Sequence, residues 1–174
     1  GLLFWAIDAR HRRTIRRNLR MTDLGLDDEA IHRLSRDCFA HYGAVFLSTV
    51  RLYGADPEEG DPWVRVEGLE HYDAAVAMGK GVVQIGAHYG NWEAINFGMG
   101  RAGRHTYGIA RSLANPLLDQ ALFASREAVG SSIIPKGGAV AKAVRALRKG
   151  GVVAFLMDQD ALTNGVWVRF LGAW

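Results

Sequence analysis

The sequence predicts an α/β protein: a layered sheet with flanking helices, preceded by a helical N-terminal segment. Three observations predict it. Short apolar runs at 82–85, 106–110, 132–134 and 152–157 alternate with stretches of helical periodicity. A long apolar repeat at three- to four-residue spacing fills the region from residue 28 to 54. The chain has 174 residues, 49% hydrophobic and 22% charged, which is an ordinary globular balance with material for a real core. One domain over 1–174 is expected, with a helical part at 1–60 and an α/β core at 61–174.

The elements follow in order. Gly1 to Ile7 is an apolar stub, too short to span a bilayer. Arg10, Arg12, Arg13, Arg16, Arg17 and Arg20 come next, with no acid between Asp8 and Asp23. Asp27 or Asp28 suits the cap of a helix, along which Ile31, Leu34, Cys38, Tyr42, Val45 and Thr49 form one face as far as Tyr53-Gly54. Cys38 reads as a core thiol. Ala55 to Pro62 is a loop with two prolines and several acids.

From there the pattern shortens. His71 to Met78 predicts a helix stopped by Gly79, and Val82 to Ile85 a buried strand. Residues 92–99 look helical, and Thr106 to Ala110 suits a strand. Pro116 to Val129 predicts a helix with proline in its first turn. Ser132 to Ile134 is a strand, Ala139 to Lys149 a helix, and Val152 to Met157 a strand. Val166 to Leu171 is expected to be a further strand. Strands alternating with helices imply parallel neighbours.

Composition excludes several classes. The apolar content rules out a disordered tail. One cysteine rules out a disulfide scaffold within the chain. The net charge of +3 hides an asymmetry: residues 1–93 hold 11 Lys and Arg against 14 Asp and Glu, and residues 94–174 hold 10 against 4. An apolar stub followed by an arginine cluster has the pattern of a juxtamembrane segment, or else of a solvated basic helix face. A membrane surface is favoured over nucleic acid, because apolar Leu2, Leu3, Phe4, Trp5 and Ile7 directly precede the cluster, which also lacks interleaved aromatics. The chain begins without Met and stops in the apolar stretch Phe170 to Trp174, so a segment of a longer protein is expected, with an N-terminal anchor and a C-terminal part lying outside it.

Ligands gather at the carboxyl ends of strands in open α/β sheets. Two polar clusters fall at such places: Gly86 to Glu93 after the first strand, and Asp158-Gln159-Asp160 after the fourth. His88 in a strand-to-helix turn is expected to meet Glu93 in the first helical turn, with Gly86 and Gly90 allowing the turn and Asn91 as the cap. A carboxylate on one imidazole nitrogen makes the other a general base. The bland alternative is a histidine capping a helix and a glutamate complementing its dipole. A metal site of His88, Glu93, Asp158 and Asp160 is conceivable, but no tight ligand spacing supports it, so none is expected. There is no G-x-S-x-G, no Walker A motif and no G-x-G-x-x-G after a strand.

With these residues in view, the stretch from Gly79 to Glu93 resembles the first block of the bacterial lipid A biosynthesis acyltransferases. These are the lauroyl and myristoyl transferases, within the lysophospholipid acyltransferase superfamily and its H-x4-D/E motif. Further blocks follow in order: Asn18-Leu19-Arg20; Arg111, Asn115 and Asp119; Arg126 and Gly130; then Asp158-Gln159-Asp160 with Gly165-Val166 and Val168 to Gly172. Leu171 stands where a second Phe is commoner. The resemblance implies a glycerolipid acyltransferase-like fold and a division of roles. His88 is implied as the general base and Glu93 as the group that orients it. Asn91 supports the turn, Arg111 and Arg126 hold phosphate or the acceptor headgroup, and Asp158 organises the site. It implies acyl transfer to a hydroxyl of a lipid A precursor by direct attack on a thioester, with no cofactor beyond acyl-ACP or acyl-CoA as donor. It further implies acyl carrier protein, a membrane lipid acceptor and the membrane surface as partners, no nucleic acid, and the cytoplasmic face of an inner membrane as the location. The basic excess after residue 93 suits the acidic carrier protein. Rival readings are a phosphatidylinositol mannoside or lysophospholipid acyltransferase, a non-catalytic membrane-surface module and a metal hydrolase.

Overall fold

The computed structural model describes residues 1–54, 56, 63–159 and 165–172. The chain divides into two compact units, Gly1–Ser48 with Gln159–Trp174, and Thr49–Asp158. The boundary between these units falls inside a helix.

The first unit holds α1 (Leu2–Ile7), α2 (Ala9–Arg20) and most of α3 (Asp28–Gly54). Asp8 separates α1 from α2 and caps the second, its carboxylate accepting from the His11 backbone N–H at 3.0 Å. Asp27 does the same for α3, accepting from Ala30 N–H at 2.7 Å. Arg12 lies over the Trp5 ring, and Trp5 meets His32 edge-on. The strand expected at 166–171 does not form. Only Phe170 makes a bridge, and Leu171 and Gly172 then turn with positive φ. The reason is that a strand persists only where a neighbouring ladder takes its backbone groups; here the Asp23 N–H donates to the Leu171 carbonyl at 3.0 Å, and no ladder forms among the described residues.

The second unit contains α4 (Leu69–Ala77), β1 (Val82–Gly86), α5 (Glu93–Arg101), β2 (Thr106–Ala110), α6 (Pro116–Ala128), β3 (Ser131–Pro135), α7 (Ala139–Arg148) and β4 (Val152–Leu156). All strand pairs are parallel, in the order β1-β4-β2-β3. The expected alternation is therefore present, with ends shifted by a residue or two. α6 starts where its sequence says it should: the Asn115 side chain accepts from Leu117 and Leu118 N–H, and Pro116 follows.

Right-handed crossovers put α5 and α6 on one face and α7 on the other. Two core clusters match that division. Ile134, Ala143, Ala146 and Val153 pack under α7. Leu52, Phe97 and Val129 pack together where α3, α5 and the end of α6 meet. Val153 is wholly buried, which fits a strand flanked on both sides. Gly100 permits the α5 approach: a Cβ there would lie 1.5 Å from the Val129 carbonyl oxygen.

Candidate active site

The site begins with strand register. β1 and β4 are neighbours, with Gly86 opposite Leu156, and the Met157 N–H donates to the Gly86 carbonyl at 3.2 Å. Two residues further on, His88 and Asp158 therefore face each other at the carboxyl end of the sheet. They meet twice. His88 Nδ1 is 2.8 Å from Asp158 Oδ1, and the His88 backbone N–H donates to Oδ2 at 2.8 Å.

Burial works to raise the Asp158 carboxyl, but the hydrogen bonds from the His88 ring and backbone outweigh it and hold the group below the usual carboxylate range. Asp158 is thus an anionic acceptor, and Nδ1 must carry the proton. In the neutral ring, Nε2 then keeps the lone pair. The His88 side chain is 23% exposed. Trp92 packs edge-on against the imidazole at 5.1 Å, limiting its rotation.

Glu93 is placed differently from expectation. It opens α5 and is 9% exposed, and its carboxylate takes a two-point grip from Arg126 on α6: Nε to Oε2 at 3.0 Å and Nη2 to Oε1 at 2.5 Å. The orienting carboxylate on His88 is that of Asp158. The physical cause is direction. The first turn of α5 aims Glu93 at α6, whereas register brings residue 158 opposite 88. Arg126, implied as a headgroup ligand, has its guanidinium committed to Glu93 and is 11% exposed.

Burial works against the Arg126 charge, but the Glu93 bonds more than offset it and raise its pKa. Tyr53, from the last turn of α3, lies beside both groups. Burial, then the Glu93 charge, pushes its phenol well up, yet its hydroxyl has no well-aligned hydrogen bond among the described residues. Sequence reasoning missed Tyr53. Its adjacency to Leu52 on the apolar side of α3 was the available signal.

Asn91 was expected to cap α5, but the cap position falls on Trp92, and Asn91 instead braces the turn one residue earlier. Its Oδ1 accepts from Glu93 N–H at 3.2 Å and from Thr49 Oγ1 at 3.1 Å. Arg111 stands exposed one residue past β2, at the same end of the sheet. Asp160 lies outside the described residues. Among the described residues no three His, Cys, Asp or Glu side chains converge on one point, and no helix is long and apolar enough to cross a membrane. An open, largely apolar cavity of about 640 Å³ lies against β1 and α5, with Val64, Val66, Val82 and Met99 among its walls beside Arg65 and Glu67.

A carboxylate fixed on Nδ1 and an imidazole whose Nε2 faces away from it form a general-base arrangement. The chain also matches a family model over residues 1–173, that of the bacterial lipid A biosynthesis acyltransferases. It is similar to the phosphatidylinositol mannoside acyltransferases of two Mycobacterium tuberculosis strains, CDC 1551 / Oshkosh and ATCC 25618 / H37Rv. Identity is 32% over 115 residues, covering 62% of this chain and 35% of each relative. The match thus spans about a third of the length of those relatives.

Proposed function

Because the chain belongs to the bacterial lipid A biosynthesis acyltransferase family, we propose that it moves an acyl group from a thioester to a lipid hydroxyl, with His88 as the base. The observation that carries this reading is the double hold of Asp158 on His88. His88 Nε2 takes the proton of the acceptor hydroxyl as its oxygen attacks the thioester carbonyl carbon. A C–O bond forms, the C–S bond breaks, and the imidazolium returns the proton to the departing thiolate. Asp158 holds the tautomer and balances the imidazolium charge. No residue is acylated along the way. The donor is acyl-ACP or acyl-CoA, and no metal or further cofactor is required.

The acceptor is a lipid A precursor at a cytoplasmic membrane face, with exposed Arg111 on its phosphate. The apolar cavity beside β1 is of a size that suits part of an acyl chain. In the first unit, exposed Leu2, Leu3, Phe4 and Ile7 ahead of the arginines of α2 suit an anionic membrane surface. A second acceptor, a mannosylated phosphoinositide, is favoured by the names of the mycobacterial relatives.

The test uses the full natural chain in detergent, wild type beside His88→Ala, with acyl-ACP and a lipid A precursor. Product is followed by mass spectrometry. The expected result is a mass gain of one acyl group, with the rate lowered by about 10²–10⁴-fold in the variant. Transfer only to phosphatidylinositol mannoside would select the second acceptor. No transfer to either, nor to a lysophospholipid, would reject the enzyme reading in favour of a membrane-binding module.

A further inference from the structure

Helix α7 carries a row of cations that the fold does not use. Ala143 and Ala146 point into the core and are buried, and Leu147 packs beside them. Lys142, Arg145 and Arg148 recur every third residue and are exposed, as is Lys149 just beyond the helix. At 100° per residue these three fall within an arc of about 120° on the outward side, spread over about 9 Å of helix. The helix contains no acid. Among the described residues none of the four cations has an ion pair.

The helix dipole explains only part of this. It favours Arg145 and Arg148 in the last turn. Lys142 sits in the first turn, where a cation is disfavoured. The row begins at the end of α7 that follows β3, and so at the carboxyl end of the sheet, where His88 and Asp158 meet.

We propose that the Lys142–Arg145–Arg148 face of α7 is the docking surface for an acidic carrier protein bearing the acyl thioester. The proposal deepens the acyl-transfer reading and rests on it. A ladder of cations at three-residue spacing matches carboxylates on one face of a partner helix, a geometry that steers encounter and fixes register. A row about 9 Å long is wider than one phosphate group requires. A lipid surface fits less well. Ala143, Ala146 and Leu147 of α7 are spent on the sheet, and the apolar side chains α7 leaves exposed are the short Val140 and Val144, with no Trp, Phe or Leu to anchor in a bilayer interface.

The experiment compares wild type with the triple variant Lys142→Glu, Arg145→Glu, Arg148→Glu in the full natural chain. Binding of fluorescein-labelled acyl carrier protein is read by anisotropy at low and high salt, which needs no catalysis. A thermal melt checks folding. The expected result is binding weakened by about tenfold or more at low salt, a flatter salt dependence, and a raised KM for acyl-ACP at unchanged kcat. KM for acyl-CoA stays as in wild type. Unchanged carrier binding in the folded variant would overturn the proposal. So would an equal rise in KM for acyl-CoA, which would make the row a site for nucleotide phosphates. So would lost binding to phosphatidylcholine–phosphatidylglycerol vesicles with carrier affinity intact. If wild type binds the carrier but transfers no acyl group, the docking surface stands and the acyl-transfer reading fails.

Discussion

The Asp158 carboxylate holds His88 at two points, ring Nδ1 and backbone N–H, each at 2.8 Å. One bond fixes the proton on the ring and the other fixes the main chain that carries it. Glu93, much nearer in sequence, holds Arg126 instead. The two carboxylates therefore carry different loads, one on the base and one on the packing of α5 against α6.

Substitution separates these loads. Asp158→Asn keeps the size of the side chain but offers an amide that satisfies the wrong tautomer. Turnover is expected to fall on the order of 10²–10⁴-fold, with a small change in stability. Glu93→Gln leaves the Arg126 charge buried without an anion, and is expected to cost about 3–5 kcal/mol. Steady-state kinetics and urea unfolding of both variants read the split. A Glu93→Gln protein as stable as wild type, or an Asp158→Asn protein with full turnover, would sink the assignment.

Acid dependence follows from the sign of the Asp158 shift. Its folded pKa is below the ordinary carboxylate value of about 3.9. Such a group contributes stability that is present above its unfolded pKa and is lost as pH falls through the lower, folded value. The stability gap between wild type and Asp158→Asn should therefore be open near neutral pH and shrink as pH drops through and below the carboxylate range. Melting curves across that range check it, and a gap that widens at the acid end would contradict it.

Tyr53 offers a contrast. Its hydroxyl is buried beside charged neighbours and has no aligned partner among the described residues. An unsatisfied buried polar group costs about 1–3 kcal/mol, so removing it is not a loss. Tyr53→Phe should leave stability unchanged or raise it by about 1 kcal/mol. Destabilisation beyond about 1 kcal/mol in chemical unfolding would mean the hydroxyl holds the Glu93–Arg126 pair after all.

Much of the fold was legible because its signals are local. Asn115 and Pro116 announce the start of α6, Gly79 follows the end of α4, and alternating runs announce the four parallel strands. The stretch 166–171 shows the limit. Its composition suits a strand, but a strand needs a neighbour to pair with, and composition says nothing of neighbours. The site shows the same limit. His88 was visible from its place after a strand, and Asp158 from its place after another. Their mutual contact was not, because it depends on β1 lying next to β4.

The sequence by itself determined the order of helices and strands, and the polar turn that carries His88. Periodicity, caps and turn residues are written in neighbouring positions. Only the tertiary structure decided which carboxylate holds the imidazole, that Arg126 is spent on Glu93, and that Tyr53 lies beside them. Those outcomes follow from strand order and register and from the direction of the first turn of α5, and these bring together residues as far apart as 88 and 158.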